Sequence, residues 1–146
     1  MPVRAPDTAE VREAVRRVLV EDPILAMLGL HGQHVLVDPP GVPAPVTGHF
    51  LVLTWDDAAG REAGLVQELH VTVHRSGRDV EDSVSSAILD RVEQAFAEHR
   101  PDGGSPVRHV LAVERRTDGQ PAGPRTVVAV FDVMARPRLV APPDGT

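Results

Sequence analysis

The segment VQELHVTVH at residues 66–74, followed by VEDSVSSAILDRVEQAF at residues 80–96, decides the fold. In the first segment Leu69, Val71 and Val73 alternate with polar residues, which is typical of a strand with one buried face. In the second segment apolar residues return every three or four positions over about 17 residues, which predicts a helix roughly 25 Å long. A strand followed by a long amphipathic helix therefore forms the centre of the chain.

Further apolar runs on both sides of this centre predict the rest of a sheet. The predicted strands lie at residues 33–37, 49–55, 66–74, 107–115 and 126–135. Residues 49–55 carry apolar side chains at both alternating sets of positions, which predicts an interior strand. A glycine-punctuated turn is expected at residues 56–64, and a loop at residues 116–125 would join the last two strands into a long hairpin.

A second amphipathic helix is predicted near the amino terminus. Its apolar positions follow helical spacing at Val11, Ala14, Val15, Val18 and Leu19. The helix should end near Asp22, because Pro23 disfavours helical backbone in the residue before it. A short helical turn at residues 24–28 would then be closed by Gly29.

This order of elements predicts an α+β fold, with a mainly antiparallel four- to five-stranded sheet and one long and one shorter amphipathic helix packed on it. Residues 1–136 are interpreted as a single domain, and the proline-containing residues 137–146 as a flexible carboxyl-terminal tail. Two helices can hardly cover both faces of such a sheet. The surplus apolar surface favours assembly with other subunits over catalysis.

Composition narrows the classes of function. The formal net charge is −6 and the sequence pI is about 5.6, which argues against a protein that grips nucleic acid through a basic face. Aromatic residues make up only 3% of the chain, so stacking platforms for single-stranded nucleic acid are not indicated. The absence of cysteine excludes disulfides, thiolate metal sites and cysteine nucleophiles.

The histidines do not form a recognisable metal motif. His70 and His74 share a face of the predicted strand, but four residues along a strand separate them by roughly 13 Å. Zinc requires each ligand nitrogen at about 2.1 Å, so these two cannot hold one ion unaided. A loop could bring His31 and His34 together, but no third ligand has a recognisable spacing. We predict no metal site and no cofactor.

The sequence also gives little support for catalytic residues. Asp56 and Asp57 could act in acid/base chemistry if they were buried, but their place in a glycine-punctuated turn favours a solvated pair. The serines Ser83, Ser85 and Ser86 lie within the helical segment without the Gly-x-Ser-x-Gly pattern around a nucleophile. We therefore predict no catalytic residues and interpret the chain as a protein that is not an enzyme.

Two segments supply candidate interface residues. These are Arg115, Arg116 and Arg125, which bracket the last hairpin loop, and Pro39, Pro40, Pro43 and Pro45 in the loop at residues 38–48. Long loops of this kind are often functional. The alternatives are a charged hairpin that keeps a sheet edge soluble and a connector stiffened by proline.

Five segments together resemble the tail terminator proteins of long-tailed phages (siphophages), and the likeness covers nearly the whole chain. They are AEVREAV at 9–15, PILAMLG at 23–29, FLVL at 50–53 after the proline-rich loop, LHVTVHRSG at 69–77 and VVAVFDVMA at 127–135. The resemblance rests on the order of helices and strands, because the family has no invariant motif to match position by position.

The resemblance implies a virion protein that forms a ring, usually a hexamer, at the neck of the particle. Such a ring caps the finished tail tube and joins it to the head connector or stopper protein, and it is assembled in the host cytoplasm. It has no active site and no cofactor, and it needs no membrane. DNA would pass through the ring without specific binding, which suits an acidic chain.

Other interpretations remain open at this stage. Another neck or tail-completion protein would have similar size and class. A small ligand-binding or regulatory α+β domain would be favoured by a deep pocket lined by Trp55 and histidines. A hydrolase or isomerase would use Asp56, Asp57 or a histidine.

Overall fold

A computed structural model describes residues 3–4, 8–37, 48–61, 65–75, 82–99, 105–119 and 125–139. The order of elements is β1 (Val3–Arg4), α1 (Thr8–Val20), α2 (Pro23–Met27), a 3₁₀ turn (Gly32–His34), β2 (Val35–Val37), β3 (His49–Arg61), β4 (Val66–Arg75), α3 (Asp82–Glu98), β5 (Val107–Gly119), β6 (Arg125–Ala135) and β7 (Arg138–Leu139).

Five strands form the main sheet in the order β2-β3-β4-β6-β5. All neighbouring pairs are antiparallel except β2 and β3, which run parallel with Val35 opposite Leu51 and Val37 opposite Leu53. The predicted α+β class is confirmed, and so are the interior place of β3 and the hairpin of β5 and β6. The parallel pair was not predicted, because a strand of three residues carries too little pattern to show its direction.

The helices pack on one face of this sheet. In α1 the apolar stripe Val11, Val15 and Leu19 is fully or almost fully buried, as the helical spacing predicts. The stripe of α3 meets the sheet through Ile88, Leu89, Val92 and Phe96, and the sheet side of this core contains Leu51, Leu53, Leu69, Val71, Val73, Phe131 and Val133. The rings of Phe96 and Phe131 meet edge to face, with centroids 5.1 Å apart.

The opposite face of the sheet, here called the outer sheet face, has a mixed surface. Its members alternate with the core residues: Phe50, Val52 and Thr54 in β3, Glu68, His70, Thr72 and His74 in β4, and Val128, Val130, Asp132 and Met134 in β6. Val128 and Val130 are buried, and the others in these three strands are half-buried. β6 therefore carries buried apolar side chains on both faces. No described helix packs on this face.

Two predicted loops are wrong at their boundaries. β3 continues to Arg61 through the predicted turn at residues 56–64, with a shift of register between Asp56 and Arg61. β5 continues to Gly119, which pairs with Arg125, so residues 116–119 and 125 of the predicted loop belong to the strands of the hairpin. The sequence does not distinguish these extensions from loops, because exposed strand segments tolerate the same charged side chains that are typical of loops.

The two chain ends meet in a separate small sheet. Val3 pairs with Leu139 and Arg4 with Arg138. The first residues of the predicted tail thus lie beside the amino-terminal strand, and residues 140–146 lie outside the described residues. Among the described helices, none is both long enough and apolar enough to cross a membrane.

Candidate interface surfaces

The short helix α2 exposes apolar side chains. Leu25 is buried, whereas Ile24 is 42% exposed, Met27 is 84% exposed and Leu28 is 51% exposed. We call Ile24, Met27 and Leu28 the α2 knob. A helix of five residues with an apolar side chain at nearly every position cannot turn all of them inward, because successive residues point about 100° apart around the axis.

The knob is held in place by an ion-pair network. Asp22 caps α2 by accepting a hydrogen bond from the Leu25 backbone N–H at 2.9 Å. It also accepts hydrogen bonds from Arg91 of α3, at 3.0 Å from Nε and 2.5 Å from a terminal nitrogen. Arg91 reaches Glu98 as well, at 2.9 Å. The bond from Arg91 holds the pKa of the Asp22 carboxyl below its ordinary value, and the same guanidinium lowers the pKa of Glu98.

The edge strand β5 carries a second exposed apolar patch. Leu111 is 42% exposed and Val113 is 54% exposed. Two irregularities interrupt the pairing of β5 with β6 nearby, between Val107 and His109 and between Ala112 and Glu114. Such bulges twist an edge strand and make it a poor template for an added strand.

A groove of about 620 Å³ lies between this strand and α3. Its apolar wall contains Phe96, Ala97, Val110, Leu111, Ala112 and Phe131. The polar lining is mostly basic and consists of His99, Arg108, His109 and Arg136, with Glu93 on the α3 side. We call this set the β5 groove. The Nε atom of Arg136 is buried and has no hydrogen-bond partner among the described residues.

Of the three predicted arginines, Arg115 is engaged within the chain. It donates to Asp90 at 2.6 Å and to Glu93 at 3.0 Å, which ties β5 to α3. Arg116 is exposed on the other side of the strand and lies 3.4 Å from both Glu114 and His70. Arg125 begins β6, and its side chain is outside what the structure describes. The structure does not bring Arg115 and Arg116 into one cluster.

The predicted interface residues Pro39, Pro40, Pro43 and Pro45 lie outside the described residues. The side chain of Asp57 is also not described, so the expected carboxylate pair is represented only by Asp56.

A polar cluster on the outer sheet face was missed from sequence. Asp56, Glu68 and His70 place one potential metal-ligand atom each within 4.8 Å of one another. Asp56 and Glu68 are cross-strand neighbours, a relation that only the register reveals. His70 Nε2 lies 2.7 Å from a Glu68 carboxylate oxygen, and Nδ1 faces the Arg116 guanidinium. If His70 donates from Nε2 to the carboxylate and accepts at Nδ1, both ring nitrogens are already engaged. The cluster satisfies itself with hydrogen bonds and does not require an ion.

Three further histidines, His31, His34 and His74, make contacts within the chain. His34 Nδ1 accepts a hydrogen bond from the His31 backbone N–H at 3.2 Å, so these two residues are adjacent, as the sequence allowed. His74 stacks on Phe50 with ring centroids 5.2 Å apart. Burial lowers the pKa of His74, because desolvation disfavours the charged imidazolium.

Trp55 and Ser85, which were considered for ligand binding and for catalysis, have other surroundings in the fold. The guanidinium of Arg12 lies 5.3 Å from the centre of the Trp55 ring, a cation–π arrangement on the helix side of the sheet. Trp55 does not line the β5 groove, so this groove is not the pocket of Trp55 and histidines that would favour a ligand-binding domain. Ser85 is completely buried in α3, where a substrate could not reach its hydroxyl.

Comparison with known proteins finds similarity in structure but not in sequence families. No protein-family model matches the chain, and no curated protein matches it. A chain in a solved structure described as the virion of a native gene transfer agent (GTA) particle is similar to it, with a TM-score of 0.58 and 21% sequence identity. The match covers 83% of this chain and 90% of that chain. At this level of identity the likeness shows that the two chains share a fold.

Proposed function

We propose that this chain is a structural subunit of a phage-like virion, and that its station is the tail terminator. In that role copies of the chain form a ring that caps the tail tube and joins it to the head connector. The observation that carries the proposal is the shared fold with a chain of the gene transfer agent virion, because the match extends over most of both chains. The order of helices and strands that resembles tail terminators supports the finer assignment.

The surface chemistry supports assembly over catalysis. The helices cover one face of the sheet, and the exposed apolar residues Met27, Leu28 and Val113 lie away from the core. Of the polar groups considered for catalysis, His70 is engaged in a hydrogen bond with Glu68 and Ser85 is buried. The proposal therefore assigns no reaction and no cofactor to the chain.

The test is to locate the protein in particles. Phage-like particles would be purified from cells that carry the gene with an epitope tag and examined by mass spectrometry and immunogold electron microscopy. We expect the tag at the junction of head and tail. Absence of the protein from intact tailed particles would overturn the virion role.

A second arm separates the terminator from other neck proteins. Cells that cannot assemble heads accumulate free tails, and cells that cannot assemble tubes accumulate free heads. A terminator should stay with free tails and label one end of them. Label on free heads alone would instead indicate a head-completion protein, and the terminator assignment would fail.

A further inference from the structure

The exposed apolar residues of this chain form two separate patches. Large hydrophobic side chains with substantial exposure occur, among the described residues, only in the α2 knob and at Leu111 and Val113 of β5. A ring closed by head-to-tail contacts requires two different surfaces on each copy that fit each other. We propose that the α2 knob of one copy sits in the β5 groove of the next copy, an inference that rests on the proposed assembly into a ring.

The two surfaces are placed so that the α2 knob cannot reach the β5 groove of the same copy. The cap residue of α2, Asp22, is bound to Arg91 of α3. The groove is reached from another flank of α3, where Glu93 binds Arg115 of β5. Because α2 is fixed by Asp22 on its own flank, its side chains cannot enter the groove of the same copy.

Shape and polarity match the knob to the groove. The groove has an apolar wall that includes Phe96 and Val110, and its volume of about 620 Å³ has room for several side chains. Met27 is 84% exposed and unbranched, so its flexible thioether can adapt to an irregular wall. Burying one such side chain is worth roughly 1.5–3 kcal/mol.

Charge favours a second copy as the occupant. The groove lining is basic at Arg108 and Arg136, and the exposed guanidinium of Arg108 can donate hydrogen bonds to a carboxylate. Glu21 is exposed immediately before α2. The chain as a whole carries a formal net charge of −6, so a copy of itself is an acidic partner.

A strand added to β5 is the competing occupant of this edge. The two irregularities in β5 fall at Val107 to His109 and at Ala112 to Glu114, on either side of Leu111. They break the even row of backbone groups that a new strand would need. The edge is thus better suited to side-chain contacts than to backbone pairing.

Disulfide trapping tests the contact, because the chain contains no cysteine and engineered thiols are the only ones present. Ala112 lines the groove, is exposed and pairs with Phe131, so its side chain is on the helix side of the sheet. The variant with both Met27→Cys and Ala112→Cys would be oxidised at the highest soluble concentration and run on a non-reducing gel. We expect a ladder of dimers, trimers and higher species. Mixing the two single variants should give one mixed dimer and nothing larger.

A matched control lies on the same strand. Thr117 is exposed on β5, on the same side of the strand as Ala112 and roughly 17 Å along the strand from it, so Met27→Cys with Thr117→Cys should give little cross-linking. Dimers from the Met27→Cys single variant alone would indicate a symmetric contact and overturn the proposal. Equal cross-linking at position 117, or no cross-linking at position 112, would overturn it as well.

A variant without cysteine gives an independent measurement. Met27→Lys should weaken self-association about tenfold or more, which corresponds to about 1.4 kcal/mol, because it brings a positive charge to a groove lined by Arg108 and Arg136. Its thermal melt should stay like that of the wild type. Unchanged self-association would contradict the contact. If the wild type labels the head–tail junction but neither variant behaves as expected, the contact is wrong and the virion role stands. If cross-linking succeeds and the protein is absent from particles, the role fails instead.

Discussion

The Asp22 side chain makes two stabilising contacts, because it caps α2 and also forms an ion pair with Arg91 of α3. Asp22→Asn keeps a capping side chain but removes the charge. We expect it to lower the free energy of unfolding by about 1–2 kcal/mol, between the values typical of exposed and buried ion pairs. Urea unfolding at neutral pH measures this. Asp22→Ala should cost about 1 kcal/mol more, because the cap is lost too.

The same pair predicts a dependence on acid. In the folded chain the pKa of Asp22 lies below its ordinary value of 3.8. The stabilisation by the Asp22–Arg91 pair is therefore present above that pH and is lost as the pH falls below it. Glu98→Gln, at the exposed end of the network, is the control at neutral pH and should change little. An Asp22→Asn variant as stable as the wild type would contradict the role given to this residue.

His74 predicts a second pH effect at milder acidity. Because burial lowers its folded pKa below 6.5, protonation is easier in the unfolded chain, and stability is lost as the pH falls through 6.5. His74→Phe keeps the stack on Phe50 and should reduce the loss of stability between pH 8 and pH 5.5. Denaturant unfolding at both pH values measures it, with the exposed His109→Gln as control. An equal loss of stability in the wild type and in His74→Phe would contradict a lowered pKa of the half-buried His74.

At the scale of elements, the end of α2 depends on one glycine. Gly29 has a φ of +89°, in the left-handed region, and nothing lies within 4 Å of a Cβ built there. Gly29→Ala should therefore destabilise the fold by about 1 kcal/mol through backbone strain alone. Gly32→Ala is the matched control, because its Cβ would meet only Val20 at an ordinary 3.7 Å. Thermal melts of the two variants should differ, and equal melting temperatures would contradict this account of the turn.

The elements were largely predictable because their signals are local. The stripe of α1 and the alternation in β4 follow directly from residue order, and burial confirms both. The extension of β5 to Gly119 and the parallel pairing of β2 were not predictable, since both depend on a partner strand distant in sequence. The cluster of Asp56, Glu68 and His70 depends on register for the same reason.

The exposed surfaces were only partly predictable. Five consecutive apolar residues in a one-turn helix, from Ile24 to Leu28, already indicate that some must face solvent, and this signal could have identified the α2 knob. The groove could not be foreseen, because it forms between α3 and β5. Arg115 was chosen as an interface candidate from its position near a loop, and only the folded contacts show that it binds Asp90 and Glu93.

At the scale of the whole molecule, helices shield one side of the sheet while the knob and β5 patch present apolar side chains to solvent. Exposed apolar patches rimmed by polar groups commonly mark protein interfaces. Assembly of identical copies would remove these patches from water, and attachment of a tail tube would cover more of the surface.

The most direct test of assembly is the molar mass in solution, measured by light scattering over a wide range of concentration, with and without purified tail tubes. The single chain has a mass of 15.7 kDa. We predict a mass that rises with concentration to a fixed multiple of this value, or a ring of that stoichiometry on the tube ends. A mass of 15.7 kDa at every concentration, with no binding to tubes, would contradict the account.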